Sequence, residues 1–147
     1  METLRTSEDE AAARGINAQL WEIWLTAPTA EAQELLDLGM ERRNAHDLDG
    51  AIRAFEALID MCPNYAEGYN QRAFALFLRQ DYTLALIDLE RALAITPDHI
   101  GALSGQALTL MGLGRDAEAQ EVLRAALALN PWLSERHLLT EPEGEDI

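Results

Sequence analysis

Three prolines, Pro63, Pro97 and Pro131, fall 34 residues apart, and each closes a run rich in Ala and Leu. Proline cannot continue a helix, and it drives the residue before it out of the α region. A proline at a fixed period behind an Ala- and Leu-rich run therefore marks the end of a helix in a unit that recurs.

Laying residues 32–65, 66–99 and 100–133 under one another aligns more than the prolines. The second half of each segment carries a small residue at Ala51, Ala85 and Ala119, then a large one four places on at Phe55, Leu89 and Leu123. An apolar residue follows at Leu58, Ala92 and Ala126. The first half shows Leu35, Tyr69 and Leu103, each followed four residues later by Gly39, Ala73 and Ala107. Spacings of three and four place these side chains on one helical stripe, so each segment reads as two amphipathic helices. The stretches between the halves, "NAHDLDG", "RQDYT" and "GLGRD", hold the Asn, Asp and Gly that stop one helix and cap the next. Small residues at 39, 73 and 107 predict a close crossing of the paired helices there.

With these residues in place the chain resembles the tetratricopeptide repeat (TPR) family. The resemblance rests on the period of 34, the aromatic or Leu near each start, the Gly or Ala four later, the Ala/large/Ala series and the closing Pro. It covers residues 32–133. Leu35 and Leu103 stand where the family has an aromatic, Arg72 and Gln106 where it has Leu, and Leu58 where it has Ala. The implied fold is an all-α solenoid of three helical hairpins, at residues 32–65, 66–99 and 100–133.

A solenoid needs its terminal apolar faces covered. After a flexible stretch at 1–7, residues 8–31 are expected to supply a capping helix and a turn. Ser7 and Glu10 form a capping-box pair, and Ile16, Leu20, Trp21 and Trp24 recur at helical spacing. Core packing and an exposed partner site are both open for the two tryptophans. Residues 134–147 are expected to form a short helix to about Leu139 and then an acidic tail. The whole chain also resembles small bacterial TPR proteins, some of them exported.

Charge narrows the partners. The chain holds 26 acidic residues against 11 basic ones, a formal net of −15, so a nucleic-acid backbone or an anionic lipid surface is repelled on average. Every basic residue is Arg, which removes the P-loop lysine, any Schiff-base lysine and any catalytic lysine. Cys62 is the only cysteine, so no disulfide forms within the chain. Next to Pro63 it reads as a small apolar filler. No run of about 20 apolar residues spans a membrane, and "METLRTSEDE" is not a secretory signal. A cytoplasmic protein is the default expectation, and a periplasmic one if a signal peptide was removed.

His46, His99 and His137 have no second His or Cys at metal-ligand spacing, "MGLGRD" follows no strand, and no two carboxylates stand out for acid/base work. No catalytic residues, metal or cofactor are expected. What remains is surface. In the TPR arrangement the first helix of each repeat lines the concave side. The groove residues expected on it are Leu36, Met40 and Arg43, then Asn70, Gln71, Phe74 and Phe77, then Ser104, Leu108 and Met111; Leu78 stands beside Phe77. An apolar patch edged by Asn and Gln suits a helix or an extended apolar peptide. Family members that clamp a chaperone's acidic C-terminus use Lys, Asn and Arg, where this chain has Leu36, Met40, Gln71, Gly101 and Gly105. The expected function is a noncatalytic protein-binding module. The alternative is a structural, self-associating subunit whose groove is filled by a second copy or by its own C-terminal segment.

Overall fold

The computed structural model describes residues 27–139, and among them it contains six α-helices, one 3-10 helix and no strand. The helices are α1 Ala30–Asn44, α2 Leu48–Met61, α3 Ala66–Leu78, α4 Tyr82–Ile95, α5 Ile100–Gly112 and α6 Asp116–Leu129, followed by the 3-10 helix Ser134–Leu138. The expected capping helix, with Trp21 and Trp24, and the acidic tail beyond 139 lie outside the described residues.

Each hairpin closes through the same backbone device. After α1, the Asp47 N–H bonds the Arg42 carbonyl and the His46 N–H bonds that of Arg43. After α3 the pairs are Asp81 to Leu76 and Gln80 to Phe77; after α5 they are Arg115 to Leu110 and Gly114 to Met111. This Schellman pattern needs one residue in the left-handed region. That residue is His46 at φ 65°, Gln80 at φ 70° and Gly114 at φ 78°, again 34 apart. Glycine adopts this conformation without strain, whereas a Cβ there crowds the following carbonyl. The second helices end alike too. The residues before Pro63, Pro97 and Pro131 cap α2, α4 and α6 with φ of −133°, −131° and −146° and ψ of 74°, 88° and 97°. These are the extended conformations that a following proline enforces.

The helices pack in chain order, α1 on α2, α2 on α3, and so on to α6. First helices also meet one another, α1 with α3 and α3 with α5, whereas successive second helices make no comparable contact. The stack is therefore an α-solenoid that curves toward its first helices. Within the first pair the helices approach closely at Gly39. Phe55, fully buried, lies over Gly39, and a Cβ on Gly39 would stand 2.2 Å from Phe55 Cε1. Ala73 and Ala107 are buried at the matching places. Leu36, Phe55, Leu58, Tyr69, Ala73 and Leu89 belong to one continuous apolar core.

Arg72, standing where the family has Leu, has a physical reason. Its Nε and Nη2 donate at 2.7 and 2.8 Å to the buried carboxylate of Asp88 on α4. This bidentate pair ties the second hairpin together, and the hydrogen bond to Asp88 raises the Arg72 pKa.

Two stability predictions follow from this geometry. His46→Gly and Gln80→Gly each relieve left-handed strain on an exposed side chain, and a gain of about 0.5–1 kcal/mol per site is expected in urea unfolding; Gly114→Ala is expected to lose about 1 kcal/mol. Gly39→Ala, although Ala is the better helix former, is expected to lose about 1–3 kcal/mol because Phe55 must be displaced.

Candidate functional site on the concave face

The inner wall is built by α1, α3 and α5, and α3 occupies its centre. Residues three and four apart on α3, namely Glu67, Asn70, Gln71, Phe74 and Leu78, follow one another along it. The first three are buried and the last two open: Phe74 is 46% and Leu78 43% exposed.

Beneath the open apolar residues lies a polar network. Glu67 and His99 are both 1% exposed, with Glu67 Oε1 and His99 Nε2 2.7 Å apart. The other carboxylate oxygen, Oε2, accepts from Asn70 Nδ2 at 3.1 Å and from Gln71 Nε2 at 2.5 Å. His99 is also the N-cap of α5, its Nδ1 accepting from the Ala102 N–H at 3.1 Å. An Nδ1 that accepts carries no proton, so the proton of this imidazole is on Nε2 and is donated to Glu67. The buried carboxylate thus has three donors. One imidazole caps a helix in the third repeat and satisfies an acid in the second.

Arg43 extends the network from α1. Its Nη1 donates to Gln71 Oε1, and its guanidinium carbon lies 4.5 Å from the centroid of the Phe74 ring. Desolvation lowers the Arg43 pKa, against a smaller raising effect of Glu67. Tyr65, at the start of α3, has its phenol pushed upward by burial and by the negative charge of Glu67.

The residues expected in the groove divide into three groups. Leu36 is 0% exposed and belongs to the core. Asn70 and Gln71 are buried and engaged with Glu67. Ser104 is also buried, and its hydroxyl donates to Glu135 Oε1 at 3.1 Å. Phe74 is open, whereas Met40, Arg43, Phe77, Leu108 and Met111 are partly exposed. Phe77 and Met40 pack against the core, and Phe77 meets Tyr82 with ring centroids 5.4 Å apart. The residues that sequence reasoning missed are Glu67 and His99. A signal for Glu67 was present: a carboxylate in the first helical turn, with Asn and Gln three and four residues on.

The C-terminal 3-10 helix docks at the far end of the stack. Besides Glu135 on Ser104, its Leu138 carbonyl accepts from Gln120 Nε2 on α6 at 3.1 Å. Among the described residues no group of three or more His, Cys, Asp or Glu side chains could hold a metal ion. None of the described helices is long and apolar enough to cross a membrane.

Two sequence models of the tetratricopeptide repeat match this chain, one over residues 36–100 and the other over 101–131. The chain belongs to the tetratricopeptide repeat family. A TPR repeat-containing protein of Rhizobium etli is 41% identical over 76 residues, covering 52% of this chain and 35% of that protein. Tetratricopeptide repeat protein 36 of Xenopus tropicalis is 32% identical over 128 residues, covering 84% and 63%. The chain thus spans about a third to just under two thirds of these relatives' length. Among solved structures, the TPR2B domain of yeast Sti1 in its pHsp70 complex superposes with a TM-score of 0.69 at 27% identity, over 74% of this chain and 90% of that one. The first TPR of Spaghetti (RPAP3), bound to the HSP90 peptide SRMEEVD, shares the fold with a TM-score of 0.69 at 24% identity, over 71% and 82%.

The double role of His99 is separable. His99→Asn keeps a cap for the Ala102 N–H but cannot reach Glu67, and an expected loss of about 1–3 kcal/mol reports the stranded carboxylate. His99→Ala removes the cap as well and is expected to lose about 1 kcal/mol more, read from paired urea titrations.

Proposed function

We propose that the chain is a noncatalytic peptide-binding module whose concave face takes an apolar helix or extended peptide. The observation that carries this reading is Phe74: an aromatic 46% exposed at the centre of the inner wall, with partly exposed Met40, Phe77 and Leu108 on the same three helices. Water contact on a cluster of large apolar side chains costs roughly 25 cal/mol per Å², and a partner that covers them recovers it. The two methionines can adapt to the shape of what they meet. The pHsp70 complex of the Sti1 TPR2B domain, a neighbour at 27% identity, supports a binding role for this fold.

A multiply acidic tail is not the ligand this face suits. The positions at which a chaperone clamp has Lys, Asn and Arg hold Leu36, buried in the core, Met40, Gln71, already bonded to Glu67, Gly101 and Gly105. Arg72 is taken by Asp88. The self-associating alternative draws on the 3-10 helix, which reaches the wall at Ser104 through Glu135. The exposure of Phe74 and Leu78 favours an open groove.

Short random peptides displayed on phage and selected on the folded protein test this reading. Phe74→Asp is expected to weaken the enriched peptides about tenfold or more, with helical circular dichroism unchanged because the side chain is half open. Enrichment that ignores the substitution would move the binding site elsewhere.

A further inference from the structure

The strongest unspent chemistry on the inner wall is the guanidinium of Arg43. A guanidinium offers five N–H donors, and among the described residues Arg43 uses one, on Gln71 Oε1. Its guanidinium carbon lies over the Phe74 ring, 4.5 Å from the centroid, and that contact occupies none of its remaining N–H donors. Arg72, Arg79 and Arg115 each have a carboxylate partner within ion-pair distance; Arg43 has none among the described residues. Glu67, whose charge Arg43 feels through space, is not within ion-pair distance of it and is engaged instead by His99, Asn70 and Gln71. Arg43 is also partly desolvated, which disfavours its charge. A second, incoming carboxylate would relieve that cost.

We infer that Arg43, placed over the Phe74 ring and anchored by Gln71, is a recognition point for one Asp or Glu side chain within an otherwise apolar peptide. This deepens the peptide-binding reading and rests on it. The ligand's carboxylate lies inside its sequence rather than at its end, because apolar wall continues on both sides of Arg43. Met40 stands one turn earlier on α1, and Leu78 one turn later on α3 than Phe74. Only one carboxylate is accommodated: Arg42, also in the last turn of α1, runs its side chain beside Gly50 of α2, Arg72 on α3 is already paired with Asp88, and the chain's own net charge of −15 repels a polyacidic ligand.

The same displayed peptides decide it, since phage display presents them without a free C-terminus. Peptides enriched on the wild type are expected to share one Asp or Glu between apolar residues. For a synthetic copy, Glu→Gln in the peptide and Arg43→Gln in the protein are each expected to weaken binding about tenfold, and together no more than either alone, since they break one contact. The peptide substitution leaves the protein untouched, so the test survives if Arg43→Gln were to unfold. Carboxylate-free peptides that lose binding with Phe74→Asp but not with Arg43→Gln would overturn this inference and leave the groove standing. So would a synthetic peptide whose affinity depends on a free C-terminal carboxylate, lost on amidation. No enrichment over Phe74→Asp would overturn both readings.

Discussion

The close crossing of the two helices within each repeat is the constraint on which the rest of the structure depends. Phe55 lies where a Cβ on Gly39 would have to be, and the small Ala73 and Ala107 are buried at the matching places of the next two hairpins. Close approach lets each hairpin present a narrow, well-packed edge to its neighbour, and one core runs through the first two hairpins to Ala102, with two smaller clusters beneath the third. The left-handed residues at 46, 80 and 114 turn the chain tightly enough for that crossing. The prolines at 63, 97 and 131 release it from one hairpin into the next. The curvature that brings α1, α3 and α5 together is a consequence.

On that frame the inner wall separates a buried polar layer from an open apolar one. Glu67, His99, Asn70 and Gln71 are buried and mutually satisfied, so they specify a geometry rather than offer one to a ligand. Their network joins the second repeat to the third and, through Gln71, reaches Arg43 in the first. Phe74 meets this network at the Arg43 guanidinium, so the exposed ring is tied to groups contributed by all three hairpins. A preorganised wall of this kind loses less conformational freedom on binding than a loop would.

How much of this was legible in the sequence follows from what repeats. The small residues, the large residue opposite and the closing prolines recur every 34 positions, because the same backbone crossing and the same helix end recur; alignment of the chain with itself exposes them. The left-handed position recurs as well, but it holds His46, Gln80 and Gly114, so only the last has the residue type that signals it. The Glu67–His99 link escapes the comparison. The equivalents of Glu67 are Gln33 and Gly101, and those of His99 are Tyr65 and Leu133; a contact made only once along the chain leaves no periodic trace. Leu36 shows a related limit. Helical spacing places it on the stripe with Met40 and Arg43, but the depth to which it sinks into the core depends on packing by neighbours.

The central claim is that the inner wall, not the outer one, receives the partner. Methionine methyl groups report on it directly, because Met40 and Met111 lie on first helices and the exposed Met61 closes a second helix. With 13C-methyl methionine incorporated, titration of a selected peptide is predicted to shift the Met40 and Met111 resonances and leave that of Met61 in place. Movement of Met61 with Met40 and Met111 unmoved would contradict the account.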